Sequence, residues 1–522
     1  MSNLPDGLDE ALQRCAEEPI HLLGQIQAYG AVLSLDDNLN ILQRSDNALD
    51  FFRLNGTEVL GKPLSFLLGE NNVRRLSALI TAPMFGRNQT LGGQSVELSL
   101  WVESTPEPSH VIAHLHRSDD VIVAEFAHSS EIRLRDVQDR LIQPLYKGLK
   151  ALDRLENFSD YIQTVVEQIR KITGYDRVLM YRFDNHWDGE VIAESHVDDL
   201  ETLLGQRFPA SDIPAQARKL YAKNPFRLLA DTELEPCSIT PVCNPLTSKP
   251  LDLSFAVLRS FSPVHIQYLR NMGARASMSI SVLQNGRLYG LIACHHRQAK
   301  YLDFQIRSVA DFVCTQVANK LSELENQERR AFQAQSRKIV FSISNHTLAI
   351  AEPIKPLPHL LERELLDMMQ SNGMLICSNK HTLRLGDLVP EPLLTALLRH
   401  LKAKPIAEVY YSECLSAEIP DFADYSHIAS GMLVAPLTKD MAEFVAWFRP
   451  EEVATIRWAG QPKVPELDEA NRFRLNPRQS FADWVEKRRG HAKAWSSIEI
   501  AEAYDMALSI IVAFSGWAHG SK

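Results

Sequence analysis

The stretch Phe208-Pro-Ala-Ser-Asp-Ile-Pro-Ala-Gln-Ala-Arg218 places an acid, Asp212, directly ahead of a predicted helix. Pro214 drives Ile213 toward extended backbone and suits the first turn of the helix that follows. Asp212 therefore lies just outside the helix start, where its carbonyl and carboxylate can turn toward a cavity. Farther along, Arg259-Ser-Phe-Ser-Pro-Val-His265 adds an arginine and a histidine to the same predicted fold region.

The bulk composition indicates a soluble protein of several domains. The chain has 522 residues, 45% of them hydrophobic and 23% charged, with a net charge of −10 and no basic cluster, which excludes an electrostatic nucleic-acid footprint. Its longest apolar run, from Met506 to Phe514, is too short to span a membrane. The N-terminus lacks the pattern of a signal peptide, and seven scattered cysteines argue against a disulfide framework. We therefore expect a cytoplasmic protein with reduced thiols.

Hydrophobic periodicity predicts three α+β regions. Residues 1–125 contain strand-like runs at 31–35 and 111–116, and a second region opens with a helix from Phe158 to Ile172 that Gly174 ends. From Asp303 to about Ser344 the chain has no proline or glycine, which predicts a helix too long for one domain. We expect that helix to bridge two domains or to pair with its copy in a dimer.

The third region contains a candidate hairpin. Ala454–Trp458 reads as one strand, and the segment from Pro477 to Phe481 reads as its partner after a connection rich in turn residues. Ser480 and Asp483 also resemble a capping box for a helix over 481–487. Two structures thus compete for this segment, and a static surface hairpin followed by an ordinary helix is the simpler alternative.

Four separated segments, in this order, resemble the bacterial phytochromes over essentially the whole chain. They are Cys15-Ala-Glu-Glu-Pro-Ile-His-Leu-Leu-Gly-Gln-Ile-Gln27, Ser211-Asp-Ile-Pro-Ala-Gln-Ala-Arg218, the segment from Val257 to Met272, and Leu291-Ile-Ala-Cys-His-His296, with support from Trp458-Ala-Gly460 and Pro477-Arg-Gln-Ser-Phe481. The resemblance implies an α+β fold: a PAS–GAF–PHY array of antiparallel sheets flanked by helices, with a long helical spine and a tongue hairpin. The implied boundaries are PAS 1–125, GAF 126–322 and PHY 323–522, with the tongue at about 445–490.

The resemblance also implies a covalent chromophore. Taken alone, Cys15 is an ordinary thiol, and Glu17 and Glu18 disfavour its thiolate. In bacterial phytochromes, however, a cysteine at this position attaches biliverdin through a thioether, whereas plant relatives use a GAF cysteine where this chain has Val264. We therefore expect biliverdin IXα, a linear tetrapyrrole, bound through Cys15.

The implied pocket combines propionate clamps, ring contacts and aromatic walls. Arg227 and Arg259 are the propionate candidates, since guanidinium groups bind carboxylates bidentately, although two arginines alone are more often surface ion-pair residues. Asp212 and His265 would contact the pyrrole nitrogens, and His295 the D-ring carbonyl. The remaining predicted contacts are Ile213, Pro214, Tyr221, Ser262, Ser277, Ser279, Tyr181, Phe208 and Tyr268. Cys237, Cys243 and Cys294 lack metal-ligand spacing, so no metal site is expected.

The implied function is a reversible red/far-red photoreceptor. Isomerisation of the D ring would switch the tongue, whose predicted signalling residues are Trp458, Gly460, Pro477, Arg478, Ser480 and Phe481. Arg478 would pair with Asp212 in the dark, and Ser480 would replace it after refolding. The expected partners are a second copy of the chain and a C-terminal output module, such as a histidine kinase or a diguanylate cyclase. The chain itself is not expected to be an enzyme, to bind nucleic acid or to contact a membrane. The alternative is a non-photochemical GAF/PAS small-molecule sensor with a degenerate bilin site.

Overall fold

The computed structural model describes residues 19–54, 56–81, 94–100, 109–128, 155, 157–302, 304–348, 358–378, 381–403, 408–460, 466–467, 473–474 and 481–519. Cys15, Pro477, Arg478 and Ser480 lie outside these ranges. The chain forms two compact bodies. One takes the residues up to Ser322 together with Arg457–Trp484, and the other takes Glu323–Ile456 together with the chain from Val485 onward.

The first sheet of the larger body has seven strands in the order β1-β11-β3-β2-β6-β5-β4. They are β1 (Gln25–Gln27), β2 (Gly30–Leu35), β3 (Ile41–Ser45), β4 (Gln94–Leu100), β5 (Ser109–Ser118), β6 (Val121–His128) and β11 (Pro236–Thr240), with helices α1 (Ala48–Phe51), α2 (Ser65–Leu68) and α3 (Glu70–Ile80). The strands predicted around 31–35 and 111–116 are present. Strand β11, far along the chain, is inserted between β1 and β3, which the sequence did not indicate.

The second sheet of this body has eight strands in the order β10-β12-β13-β7-β8-β9-β19-β22. They are β7 (Arg177–Phe183), β8 (Gly189–His196), β9 (Arg207–Phe208), β10 (Phe226–Leu229), β12 (Ala276–Gln284), β13 (Arg287–His296), β19 (Ala454–Ala459) and β22 (Asp483–Arg488). Its helices are α4 (Phe158–Thr173), α5 (Ala215–Lys223) and α6 (Pro263–Asn271), and a 3₁₀ turn spans Ala210–Asp212.

Local sequence explains several of these boundaries. The Asn157 side chain accepts a hydrogen bond from the Ser159 N–H (2.8 Å) at the start of α4, and Gly174, with φ 65°, ends that helix. Asn285 and Gly286 both have positive φ, 50° and 77°, as a tight hairpin turn requires between β12 and β13. The predicted helix from Phe158 to Ile172 is therefore confirmed.

Two findings bear on the predicted tongue. The described strand that follows β19 in the sheet is β22, Asp483–Arg488, whereas the predicted partner segment, apart from Phe481, lies outside the described residues. The 481–487 segment is therefore largely a strand here, because pairing beside β19 satisfies backbone groups that a helix would satisfy internally. Nor are all strand pairs antiparallel, since Trp458 pairs with Arg207 in a parallel arrangement.

The smaller body is built on a five-stranded antiparallel sheet in the order β15-β14-β18-β17-β16. Its strands are β14 (Gly373–Ser378), β15 (His381–Gly386), β16 (Tyr410–Ser412), β17 (Gly431–Pro436) and β18 (Phe444–Arg449). Its helices are α8 (His359–Met368), α9 (Glu391–Lys402) and α10 (Leu415–Glu418), with a 3₁₀ turn at Pro420–Tyr425. A separate two-stranded pair, β20 (Glu466–Leu467) with β21 (Phe473–Arg474), belongs to the larger body.

Two long helices complete the secondary structure. The predicted long helix is present as α7 (Phe304–Leu348), and the C-terminal helix is α11 (Ser497–His519). Gln333 on α7 donates a hydrogen bond to Glu502 on α11 (3.0 Å), so the two helices meet within the smaller body. In the part of the chain that the structure describes, no helix is both long and apolar enough to cross a membrane.

Candidate functional site

The floor of the candidate site is one face of the eight-stranded sheet. Side chains alternate between faces along a strand, so Leu291, Ala293 and His295 of β13 share one face. His295 lies opposite Ser277 on β12, and Leu291 lies opposite Tyr181 on β7. These residues line a cavity with about 730 Å³ of empty space, part of it open to solvent.

Helix α6 forms the wall above this floor. His265, Tyr268, Leu269 and Met272 recur at the three- and four-residue spacing of one helix face, and all four line the cavity. The Ser262 hydroxyl accepts a hydrogen bond from the His265 N–H (3.3 Å) and caps the helix. The cap fixes the first turn of α6, and with it the position of the His265 ring.

Three aromatic rings stack along the start of α6. The Phe261 and His265 ring centroids are 5.5 Å apart at an interplanar angle of 16°, and those of His265 and Tyr268 are 6.0 Å apart at 11°. Near-parallel rings form a flat surface that suits an extended π-system. The wall of the cavity is therefore apolar and planar, with one imidazole in its centre.

Asp212 lines the cavity from the turn that precedes α5. It ends the 3₁₀ turn before α5, and its carboxylate accepts a hydrogen bond from the Tyr268 hydroxyl (3.3 Å). The Tyr181 hydroxyl donates to the Phe208 carbonyl (3.3 Å), and the Ser279 hydroxyl donates to the Tyr221 hydroxyl (3.1 Å). Internal hydrogen bonds thus hold the polar lining in place.

Arg227 brings a buried positive charge to the site. It lies on β10 opposite Ser279, with its guanidinium 4.0 Å from the centre of the Phe261 ring. Its Nη atoms donate to the carbonyls of Arg259 and Ser260, both at 3.2 Å. Among the described residues, no carboxylate lies within ion-pair distance of Arg227, and burial holds its pKa well below the usual value. This charge can therefore accept an anionic ligand.

Both cavity histidines are neutral at physiological pH. Burial, with a smaller contribution from Arg227, lowers the pKa of His265 to about 4. Burial, with smaller contributions from Arg177 and His265, lowers the pKa of His295 to about 3. The His295 Nδ1 atom is buried without a hydrogen-bond partner in the described part of the chain. A ligand with a polar group near His295 would satisfy it.

Most predicted site residues line this one cavity. They are Tyr181, Phe208, Asp212, Ile213, Tyr221, Arg227, His265, Tyr268, Ser277, Ser279 and His295. Pro214, Arg259 and Ser262 do not belong to the lining. Pro214 precedes α5, and Ser262 is occupied as the cap of α6.

Arg259, the second predicted propionate ligand, lies outside the lining and contacts the N-terminal segment. Its side chain is 4% exposed, and its Nη1 atom donates to the Ile20 carbonyl (2.9 Å). The Gln27 N–H donates to the Leu258 carbonyl (2.8 Å), and burial lowers the Arg259 pKa to about 10. In this structure, Arg259 therefore fastens the N-terminal segment to the loop ahead of α6.

The described tongue residues from Arg457 to Trp484 belong to the larger body, which also contains the cavity. The Phe481 ring meets the Tyr268 ring edge-on, with centroids 5.2 Å apart. Arg457 on β19 forms an ion pair with Asp483 on β22 (2.8 Å). Trp458 is 7% exposed, and Gly460 follows it with φ 86°. The described tongue residues thus contact a side chain of the cavity wall directly.

Sequence reasoning missed several lining residues. They are Leu179, Leu203, Phe261, Leu269, Met272, Leu291 and Ala293. Period-two alternation from His295 points to Leu291 and Ala293, and helical spacing from His265 points to Leu269 and Met272. Phe261 belongs to the 257–272 segment that resembles the phytochromes. Its position directly before Ser262, the cap residue of α6, is the only local feature that could have indicated a place in the lining.

Comparison with protein families gives three matches in order along the chain. A PAS fold matches residues 15–128, a GAF domain matches 157–321, and the phytochrome region matches 349–517. The cavity lies in the part that matches the GAF domain.

Curated relatives match over nearly the whole chain. A cyanobacterial phytochrome B of Nostoc sp. is 34% identical over 96% of this chain and 66% of its own length. A bacteriophytochrome of Xanthomonas campestris pv. campestris is 31% identical over 98% of this chain and 80% of its own length. The chain thus spans slightly less than two thirds of the Nostoc relative.

Solved structures agree with these matches. The crystal structure of a bacteriophytochrome from the photosynthetic bacterium R. palustris has a TM-score of 0.83 at 29% identity, covering 97% of this chain and all (100%) of that one. The phytochrome photosensory core module of Stigmatella aurantiaca has a TM-score of 0.81 at 30% identity, covering 96% of this chain and 98% of that one. The chain is therefore a PAS–GAF–PHY photosensory core and belongs to the phytochrome family.

Proposed function

We propose that this chain is the light-sensing part of a red/far-red photoreceptor that binds biliverdin covalently in the GAF cavity. The observation that carries the proposal is the cavity itself. It combines a planar aromatic wall, a buried Arg227 with no carboxylate partner among the described residues, and two neutral histidines. Membership of the phytochrome family supports a bilin as the ligand.

The lining residues fit a linear tetrapyrrole. Arg227 would bind a propionate, since a buried guanidinium and a carboxylate form strong charge-assisted hydrogen bonds. The unpartnered His295 Nδ1 would hydrogen-bond a polar group at one end of the ligand. Asp212 and His265, which both line the cavity, would hold the ring nitrogens. Arg259 would reach a second propionate only after releasing the Ile20 carbonyl.

Covalent attachment would fall to Cys15. Among the described residues, none of the cysteines lines the cavity. Cys294 is on the far face of β13, in the apolar core, and burial raises its pKa well above the usual value, so it is a poor nucleophile. Val264, at the position of the plant-type attachment cysteine, is 50% exposed and carries no thiol. Cys15 as the attachment site, and biliverdin as the pigment, are what the resemblance to bacterial phytochromes implies, and the described cysteines offer no competing nucleophile in the lining.

The bound bilin supplies light absorption and isomerisation of its D ring. The chain would restrain that ring through His295 and the aromatic side chains of Tyr181, Phe208 and Tyr268. Since Phe481 contacts Tyr268, movement of Tyr268 would reach the tongue directly. Arg478 would pair with Asp212 in the dark state, and Ser480 would take that place after the tongue refolds into a helix.

Signal output would require partners outside this chain. A cytoplasmic homodimer joined along α7 and α11, followed by a C-terminal output module, would convert tongue refolding into a change of geometry. The remaining third of the Nostoc relative leaves room for such a module.

The deciding experiment is an absorption spectrum of the chain mixed with biliverdin, recorded in darkness and after red light. A red band that falls as a far-red band rises is the expected result. Cys15→Ala should keep the pigment but release it on acid denaturation, whereas Cys243→Ala, an exposed control, should retain it. A band that only bleaches would support pigment binding but would contradict switching through refolding of the tongue. The absence of any band would favour a non-photochemical small-molecule sensor.

A further inference from the structure

A second cluster of ligand-type side chains lies outside the cavity, in the seven-stranded sheet. His114 and His116 are two residues apart on β5 and therefore share one face. Glu125 on β6 is directly opposite His114 in the antiparallel register. The three residues are 8%, 4% and 3% exposed. Buried histidine and glutamate side chains at such positions need partners of their own.

The donor atoms of this cluster are spaced for a single ion. The His116 Nδ1 and Glu125 Oε1 atoms are 3.6 Å apart, and one ligand atom from each of the three residues lies within 4.8 Å of the others. Ligands bonded to one tetrahedral zinc at about 2.1 Å lie roughly 3.4 Å from each other. Side-chain shifts of about 1 Å would bring all three into range.

His116 is the least satisfied member of the cluster. In the part of the chain that the structure describes, neither of its ring nitrogens makes a hydrogen bond, although both are buried. A buried polar atom without a partner is destabilising by about 1–3 kcal/mol. A bound cation would satisfy one nitrogen of His116.

The carboxylate of Glu125 is already oriented by the loop ahead of α6. Its Oε1 accepts a hydrogen bond from the Val257 N–H (3.1 Å), and its Oε2 accepts one from the Leu258 N–H (2.7 Å). Backbone donors that fix a carboxylate in this way are typical of the outer shell of a metal site.

Apolar residues lie beside the cluster. The Phe255 ring meets the His116 ring edge-on, with centroids 6.3 Å apart. Val123 is paired with His116 across the strands, and Leu258, whose N–H binds Glu125, belongs with Val123 to one buried hydrophobic core. Burial of this kind strengthens the attraction between a cation and a carboxylate.

We propose that His114, His116 and Glu125 form a zinc site that fastens the PAS sheet to the loop leading into α6. Two imidazoles and one carboxylate suit zinc, and a water molecule would complete its tetrahedral coordination. The site does not depend on the proposed chromophore. Its role is structural, since it holds Val257 and Leu258, the two residues before Arg259, against β6.

The test is zinc binding by the purified, pigment-free chain. After removal of loosely bound metal with a chelator, zinc is titrated and the bound metal is counted by mass spectrometry. We compare wild type with His116→Gln and with a control, His128→Gln, which removes an exposed histidine of the same sheet. Wild type and the control should bind one more high-affinity zinc per chain than His116→Gln does, and zinc should raise their melting temperature.

The loss of one direct ligand should weaken that binding event about 100-fold or more, because outer-shell changes alone weaken metal binding 10–100-fold. Equal zinc binding in wild type and His116→Gln, including none in either, would overturn the proposal. If His116→Gln does not fold, X-ray absorption of zinc in the wild type decides. Two imidazoles and oxygen around the zinc support the site, whereas sulfur ligands refute it. Neither readout involves pigment, so the photoreceptor proposal stands or falls separately.

Discussion

Two buried arginines, one in each compact body, are solvated by the protein in different ways. Arg227 in the cavity is 5% exposed and stacks 4.0 Å above Phe261, and Arg449 at the end of β18 is 1% exposed and stacks 3.7 Å above Trp495. Both donate to backbone carbonyls. Only Arg449 has a carboxylate partner among the described residues, Glu499 at 2.5 Å.

This difference separates a structural charge from a binding charge. Burial lowers the pKa of both guanidinium groups, but the nearby Glu499 carboxylate offsets much of that effect for Arg449. Arg449 also donates to the Met369 and Ala494 carbonyls, so its hydrogen bonds are used inside the fold. Arg227 keeps a buried charge that a ligand anion would neutralise. Arg227 is therefore a better guide to the ligand site than Arg449.

The largest expected effect is on Arg449. Glu499→Gln leaves its guanidinium buried without a counter-charge, which should destabilise the smaller body by about 3–5 kcal/mol. Urea unfolding followed by tryptophan fluorescence would report it, since Trp447 and Trp495 are both buried in that body. Asp367→Asn, which breaks an exposed ion pair with Arg363, is the control. Equal losses in the two variants would contradict the assignment of Arg449 as a structural charge.

Arg227 should show the opposite pattern. Arg227→Met removes a charge that has no acid partner within the described residues, so unfolding without pigment should change little. Biliverdin affinity should fall about 10- to 100-fold, the equivalent of one or two charge-assisted hydrogen bonds. Arg275→Met is the matched control, because Arg275 is paired with Asp231 (2.8 Å) outside the lining. Equal pigment affinity in all three proteins would remove Arg227 from the site.

The sequence predicted features formed by neighbouring residues, such as turns and helix starts, better than contacts between distant residues. The segment around Asp212 and the segment ending in His265 both led to cavity residues, because each contains a turn and a helix start. Ser496 and Glu499 form a capping box, in which the Ser496 N–H donates to Glu499 (2.8 Å) and the Glu499 N–H donates to Ser496 (3.1 Å). The capping box can be recognised in the sequence. The pairing of its Glu499 with Arg449 cannot.

The features that the sequence did not indicate are contacts between segments far apart along the chain. Arg259 was expected in the cavity but donates to Ile20, and no local pattern encodes which carbonyl a distant segment will present. The insertion of β11 between β1 and β3 is equally remote in sequence. The described strand beside β19 is β22, and its register depends on the pairing surface as well as on turn residues, which are all that the sequence displays.

A pH titration tests whether the cavity tolerates a second cation beside Arg227. The pKa values of His265 and His295 in the folded protein, about 4 and about 3, are below the ordinary 6.5. The stability that follows from these neutral rings is fully present above pH 6.5 and is lost as pH falls toward those values. Without pigment, stability should therefore decrease by up to about 1.4 kcal/mol per pH unit for each histidine.

His295→Gln should flatten that decrease, and the control His359→Gln, at a fully exposed position, should not. Chemical unfolding at pH 7, 6 and 5 provides the measurement. Identical slopes in wild type and His295→Gln would mean that the cavity accepts protonation freely, and the distinction from the Arg449 pair would then weaken.

The smallest effect concerns the acid that the cavity does contain. The Asp212 carboxylate accepts from the Tyr268 hydroxyl at 3.3 Å, a long contact that keeps it engaged on α6. Tyr268→Phe should lower the unfolding free energy by about 1 kcal/mol or less. Tyr181→Phe, which removes a hydroxyl bonded to a backbone carbonyl, should have a similar effect and is the control. Biliverdin affinity should change far less than in Arg227→Met. A comparable loss would mean that Asp212 and Tyr268 share the anion-binding role assigned to Arg227 alone.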